Sequence, residues 1–159
     1  MCLLILISGC SNRKNAPEAS EVKLTEINET RLNSLLAESA KPYHVVNFYA
    51  TFCKPCIKEL PELIELDKDP EVAVHFVSMD DKRVIQGSLS NFMKVHNLSE
   101  TFYFPEDSAQ LYIQKNYPDW NTQIPLSFVI HKSGRIIAQK GLTDKAELKM
   151  IIAEDKSFQ

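Results

Sequence analysis

Cys53-Lys54-Pro55-Cys56 carries the clearest chemistry in this sequence. Two thiols with two residues between them can close into a disulfide and reopen. The thiolate is the nucleophile in such chemistry. Cys53 would attack a substrate disulfide to give a mixed disulfide, and Cys56 would resolve it by attacking the Cys53 sulfur. Pro55 has its φ pre-set for the first turn of a helix and lacks an N–H that would go unpaired there. Lys54 adds an exposed positive charge beside the thiolate, a modest aid.

The dithiol sits between two elements that can position it. Val45-Val46-Asn47-Phe48-Tyr49-Ala50 is a short run rich in β-branched and aromatic residues, the pattern of a buried strand. After Cys56, Ile57, Leu60, Leu63 and Ile64 follow a helical spacing, and Pro61 should kink that helix. A thiol at a helix N-terminus meets free N–H groups and the positive end of the helix dipole, which lower its pKa from about 8.5.

Further along, the pattern predicts helices at Arg31 to Ala40, Ser88 to His96, Asp107 to Asn116 and from a Thr143 cap to about Ala153. It predicts strands at Val72 to Met79 and Leu126 to His131, and a hairpin return from Arg135 to Gln139 after Lys132-Ser133-Gly134. Helices alternating with parallel strands and closed by an antiparallel hairpin give an α/β fold, a three-layer α/β/α sandwich with a mixed central sheet.

Other chemistries fit less well. A structural zinc site needs four ligands, and there is no second CxxC; His44, His75, His96 and His131 are scattered and read as packed or surface residues. A purely structural disulfide over so small a loop contributes little through chain entropy. Ile57 in place of His excludes a c-type haem site. A thiol peroxidase wants Thr three residues before its cysteine, whereas Thr51 stands two before Cys53. Copper delivery favours three residues between the cysteines. No metal or cofactor is expected beyond the redox-active Cys53–Cys56 disulfide itself.

The chain has 159 residues, 44% hydrophobic and 25% charged, with a formal charge of −3. That suits one globular domain and offers no basic face for nucleic acid. Of its four cysteines, two lie in the first ten residues. Leu3-Leu4-Ile5-Leu6-Ile7 is apolar but far shorter than the roughly 20 residues that span a bilayer. With Ser8-Gly9-Cys10 it reads as a secretory signal over residues 1–9. Ile7-Ser8-Gly9-Cys10 resembles a bacterial lipobox, which implies cleavage before Cys10 and lipidation of that residue. Residues 10–22 then form a tether and 23–159 the folded domain. The expected location is the cell envelope, lipid-anchored and facing the periplasm.

The segment from Val45 to Pro61, with Cys53-Lys54-Pro55-Cys56 inside it, closely resembles the active-site segment of TlpA/ResA-like thioredoxins. The likeness runs from about Leu24 to the C-terminus. It implies a thioredoxin-like fold and a membrane-tethered or exported thiol–disulfide oxidoreductase that reduces or exchanges disulfides of exported proteins, in some members during cytochrome c maturation. It implies a membrane or thioredoxin-like electron donor as partner. It also places a cis-proline at Pro125, after Ile124, to face the dithiol and pair with substrate backbone. Gly141 matches the family's glycine after the hairpin. Where the family has Trp, this chain has Tyr49 and Phe52, aromatic substitutes that could still pack on the dithiol. Asn47 stands where cytoplasmic thioredoxins carry a buried Asp and cannot accept a proton in that role. Glu59 and Glu62 read as solvent-facing rather than catalytic. The stretch from Asp81 to Asn121 is a helical insertion before the cis-proline, and Trp120 either lines a substrate groove or packs.

Overall fold

A computed structural model describes residues 21–105 and 108–158. Six strands form one sheet: β1 (Lys23–Glu26), β2 (Tyr43–Tyr49), β3 (Val72–Ser78), β4 (Glu100–Tyr103), β5 (Leu126–His131) and β6 (Ile136–Lys140). Their order is β1-β4-β3-β2-β5-β6. The pairs β1–β4, β4–β3 and β3–β2 are parallel, while β5 runs antiparallel to β2 and β6 to β5. Every residue of β2 is buried, which is what a central strand covered on both faces demands.

The covering comes from helices α1 (Glu29–Glu38), α2 (Lys54–Asp67), α3 (Lys82–Gln86), α4 (Leu89–Val95), α5 (Ser108–Asn116) and α6 (Lys145–Ser157). Leu60, Leu63 and Leu66 of α2, Leu89 and Met93 of α4, and Leu148 and Ile152 of α6 form one apolar layer with Val45 and Tyr49 of β2. Leu32 and Leu36 of α1 and Tyr112 and Ile113 of α5 form the other, with Val46 and Phe48. Alternate side chains of β2 thus enter opposite layers, as the period of a strand requires. This is the expected three-layer thioredoxin-like sandwich. The insertion between β3 and β5 holds α3, α4, β4 and α5.

Two local expectations change. Strand β1 has no counterpart in the sequence pattern. Helix α6 is capped by Asp144, whose side chain accepts from Glu147 N–H, and not by Thr143. Thr143 has other partners, described below. Helix α2 runs through Pro61 as a single helix. No helix among the described residues is long and apolar enough to cross a membrane.

Candidate active site

Strand β2 ends at Tyr49, whose carbonyl accepts from Met79 N–H, and the chain then turns into α2. Cys53 is the N-cap of that helix: its sulfur accepts from Cys56 N–H at 3.2 Å. Pro55 lies in the first helical turn. Cys53 and Cys56 form a disulfide with Cα atoms 5.3 Å apart. Cys53 keeps 7% of its surface exposed and Cys56 none. An incoming disulfide therefore meets Cys53 first, at the end of a helix whose N–H groups favour a thiolate.

The Ile124–Pro125 peptide is cis. It opens β5, and the Ile124 carbonyl oxygen lies 3.7 Å from Cys53 Sγ. Topology explains the meeting: β5 pairs with β2 from Phe48↔Leu126 onward, so the turns at both strand ends share one edge of the sheet. Trp120 supports this turn from within the core, its indole N–H donating to Gln123 carbonyl at 2.8 Å. Lys54 and Pro55 are exposed beside the dithiol. Phe52 is 77% exposed, so its ring faces solvent at the dithiol instead of packing on it. Tyr49 is fully buried, its hydroxyl 3.0 Å from that of Thr101 and its ring stacked on Phe92. Cys10 lies outside the described residues.

The expectation that Glu59 faces solvent is overturned: it is 2% exposed, while Glu62 is exposed. Glu59 follows Cys56 by three residues and shares its buried face of α2. Its carboxylate accepts from Asn47 Nδ2 at 2.7 Å and from Thr143 N–H at 3.2 Å. Asn47 also donates to Ser127 Oγ at 3.0 Å, and its Oδ1 has no partner among the described residues. Burial pushes the Glu59 pKa up to about 7, against the two hydrogen bonds, which favour the charged form. A cavity of about 330 Å³ reaches Glu59 between Glu62, Thr143 and Glu147. The structure thus places a carboxyl that exchanges protons near neutrality one helical turn beyond Cys56. The signal was in the sequence: a polar Asn47 inside a wholly buried strand requires a partner.

On the other side of the dithiol, Asp80 accepts from Thr51 N–H and Thr51 Oγ1 and from Ser78 Oγ. The structure also pairs two of the histidines read as scattered. His44 Nδ1 and His75 Nε2 are 3.0 Å apart and their rings stack. They lie away from the dithiol, on the opposite face of β2 from Asn47.

A model of the AhpC/TSA family matches residues 13–139, most of the chain. The chain belongs to the AhpC/TSA family. Within it, the chain is similar to a curated relative named thiol-disulfide oxidoreductase ResA from Bacillus thuringiensis, 32% identical over 107 residues. That match covers 65% of this chain and 58% of the relative. Two solved structures share the fold. StoA from Bacillus subtilis superposes with a TM-score of 0.56 at 22% identity, over 72% of this chain and 85% of StoA. A thiol:disulfide interchange protein of the thioredoxin family from Chlorobium tepidum gives 0.61 at 23%, over 76% and 81%. The resemblance to TlpA/ResA-like thioredoxins is borne out on the AhpC/TSA scaffold.

Proposed function

We propose that this chain is a thiol–disulfide oxidoreductase that acts on disulfides of exported proteins, working as a reductase. The observation that carries the reading is the Cys53–Cys56 disulfide at the N-terminus of α2, with Cys53 at the surface and Cys56 enclosed. In the reduced protein the Cys53 thiolate attacks one sulfur of a substrate disulfide. A Cys53–substrate disulfide forms and a substrate thiolate leaves, taking up a proton. Cys56 then gives up its proton and attacks Cys53 Sγ. The second substrate thiol departs and the protein is left oxidised, two electrons having passed to substrate. Glu59 is placed to hold the proton that Cys56 releases. The backbone at Ile124–Pro125 offers substrate an extended edge next to Cys53.

A membrane-side or thioredoxin-like donor must return the two electrons. The Ile7-Ser8-Gly9-Cys10 pattern supports a place in the cell envelope with Cys10 as the lipidated anchor. The similarity to ResA supports disulfide exchange as the activity, and service to cytochrome c maturation is one outlet of this reading. A peroxidase reading loses ground because the Thr51 hydroxyl is spent on Asp80 at 2.8 Å.

The test is equilibration of the full chain against glutathione or dithiothreitol, with thiol trapping. A reversible Cys53–Cys56 couple near −270 mV supports a reductase, while one near −120 mV makes the protein an oxidant. Cys53→Ser must abolish exchange altogether. Loss of radiolabelled fatty acid from Cys10→Ala in cells tests the anchor.

A further inference from the structure

We propose that Asp80 is a positioning residue for the dithiol: through Thr51 it fixes the turn that presents Cys53 to the N-terminus of α2. The proposal rests on the dithiol being the reactive centre.

Parallel pairing of β2 with β3 ends at Tyr49↔Ser78, and Tyr49 carbonyl still accepts from Met79 N–H at 2.7 Å. The next rung would have Thr51 N–H donate to the Met79 carbonyl, just past the end of β3. The Asp80 carboxylate stands there instead. Thr51 N–H lies 3.1 and 3.0 Å from its two oxygens, and Thr51 Oγ1 donates to Oδ1 at 2.8 Å. Ser78 Oγ donates to Oδ2 at 2.8 Å and accepts from Asp80 N–H at 3.1 Å, which locks the carboxylate in place. Asp80 is 7% exposed. A carboxylate this enclosed must be met by donors, and three groups meet this one.

Its neighbours in sequence are bound to other tasks. Met79 closes the ladder, and Asp81 caps α3 by accepting from Arg83 and Val84 N–H. Three consecutive residues thus tie the dithiol turn to the end of β3 and the start of the insertion. Inside the turn, Cys53 N–H bonds only locally, to Ala50 carbonyl at 3.0 Å. Among the described residues, the Thr51–Asp80 hydrogen bonds tie the turn to the end of β3. Cys53 Sγ depends on this tie, because the sulfur must lie over Cys56 N–H for the helix end to stabilise the thiolate.

Two ways for Asp80 to act predict opposite signs. If its charge acted directly on Cys53, neutralising it would lower the thiol pKa. If it acts by holding Thr51, loosening it raises that pKa. The experiment follows iodoacetamide alkylation of Cys53 against pH in the reduced full chain, with the reduction potential of the disulfide measured alongside. The variants are Asp80→Ala, Asp80→Asn, Thr51→Val and the Asp80→Ala/Thr51→Val pair. We expect Asp80→Ala to raise the alkylation midpoint by about one unit, roughly a tenfold loss of thiolate at neutral pH. Asp80→Asn, with one acceptor oxygen left, moves it the same way but less. Thr51→Val adds nothing once Asp80 is gone, since residues acting as one unit are non-additive.

A downward shift in Asp80→Asn would show direct charge action and overturn the proposal. So would fully additive variants, or a lowered melting temperature with midpoint and potential unmoved. If Asp80→Ala fails to fold, the sign in Asp80→Asn and the shift in Thr51→Val decide. A wild-type protein whose disulfide does not cycle sinks the exchange reading instead, and the Cys53 midpoint still reports on Asp80.

Discussion

Among the polar pairs that strand β2 buries, Asn47–Glu59 on one face and His44–His75 on the other feel burial in opposite directions. On the α2 face, Asn47 meets Glu59, and desolvation pushes that carboxyl up to about 7. On the α1 and α5 face, His44 meets His75, and desolvation pulls His75 down to about 4, with repulsion from His44 and Lys41 in support. The pKa of His44 is lowered too, again mainly by burial. In both places the interior resists charge, so an acid gains protons and a base loses them. Only the first pair lies beside a dithiol. The same physical effect therefore gives the two sites opposite pH dependences, and only one of them sits next to the dithiol.

The largest expected effect follows from His75. In the folded protein it stays neutral until about pH 4, whereas in the unfolded chain it charges near 6.5. Between those values the unfolded state binds more protons, so stability rises with pH. The contribution is complete above 6.5 and lost as pH falls toward 4. Over the gap from 6.5 to about 4, at about 1.4 kcal/mol per unit, it comes to about 3.5 kcal/mol. Glu59 runs the other way. Its folded pKa of about 7 exceeds 4.5, so its contribution is complete below 4.5 and lost as pH rises through 7. The two slopes oppose each other between 4.5 and 6.5, where wild-type stability should be nearly flat. His75→Phe should uncover a decline with rising pH, measured by urea unfolding at a series of pH values. A flat profile in the variant would refute the assignment of the acid slope to this pair.

Glu59→Gln keeps the shape and removes the titration. It should uncover the acid slope of His75 and, at the dithiol, erase the inflection near pH 7 in the rate of disulfide exchange. The rate itself should fall on the order of a hundredfold, the low end for a group that moves a proton in the rate-limiting step. An unchanged pH–rate profile would reduce Glu59 to a buried structural carboxyl.

The contrast between the two faces also marks what the sequence let one read. The dithiol, β2, α2, the β5–β6 hairpin and the proline at the start of β5 were legible. Each is carried by a dense local pattern: an apolar run, a helical spacing, Gly134 with φ of +87° in the turn. Strand β1 was not, since Lys23–Glu26 is four residues long with exposed ends and earns its place only by pairing with β4. The burial of Glu59 was hidden because a glutamate on a helix ordinarily faces water. Its partners Asn47 and Thr143 lie 12 and 84 residues away in sequence. The histidine pair, 31 residues apart, is created by strand register alone, which sets Val46 beside His75 and His44 beside Ala73. Local patterns reveal where elements are, and pairings across the sheet decide what the buried polar groups do.

The smallest of the expected effects separates donor from packing at Asn47. Asn47→Ala removes one of the two hydrogen bonds to Glu59 and the one to Ser127, and leaves the carboxyl as enclosed as before. With desolvation unopposed by that donor, the Glu59 pKa should climb further. The cost in stability should be about 1.5–3 kcal/mol at alkaline pH, where a hydrogen bond to a charged group is lost. At pH 5 the carboxyl is already protonated in the fold, so the lost bond is one to a neutral group and the penalty should be roughly half as large. Urea unfolding at pH 5 and pH 8 reads this difference directly. Equal losses at both values would mean that Asn47 fills space in β2 and does not tune Glu59. A larger loss at pH 8 ties the strand residue to the protonation of the helix carboxyl beside the dithiol.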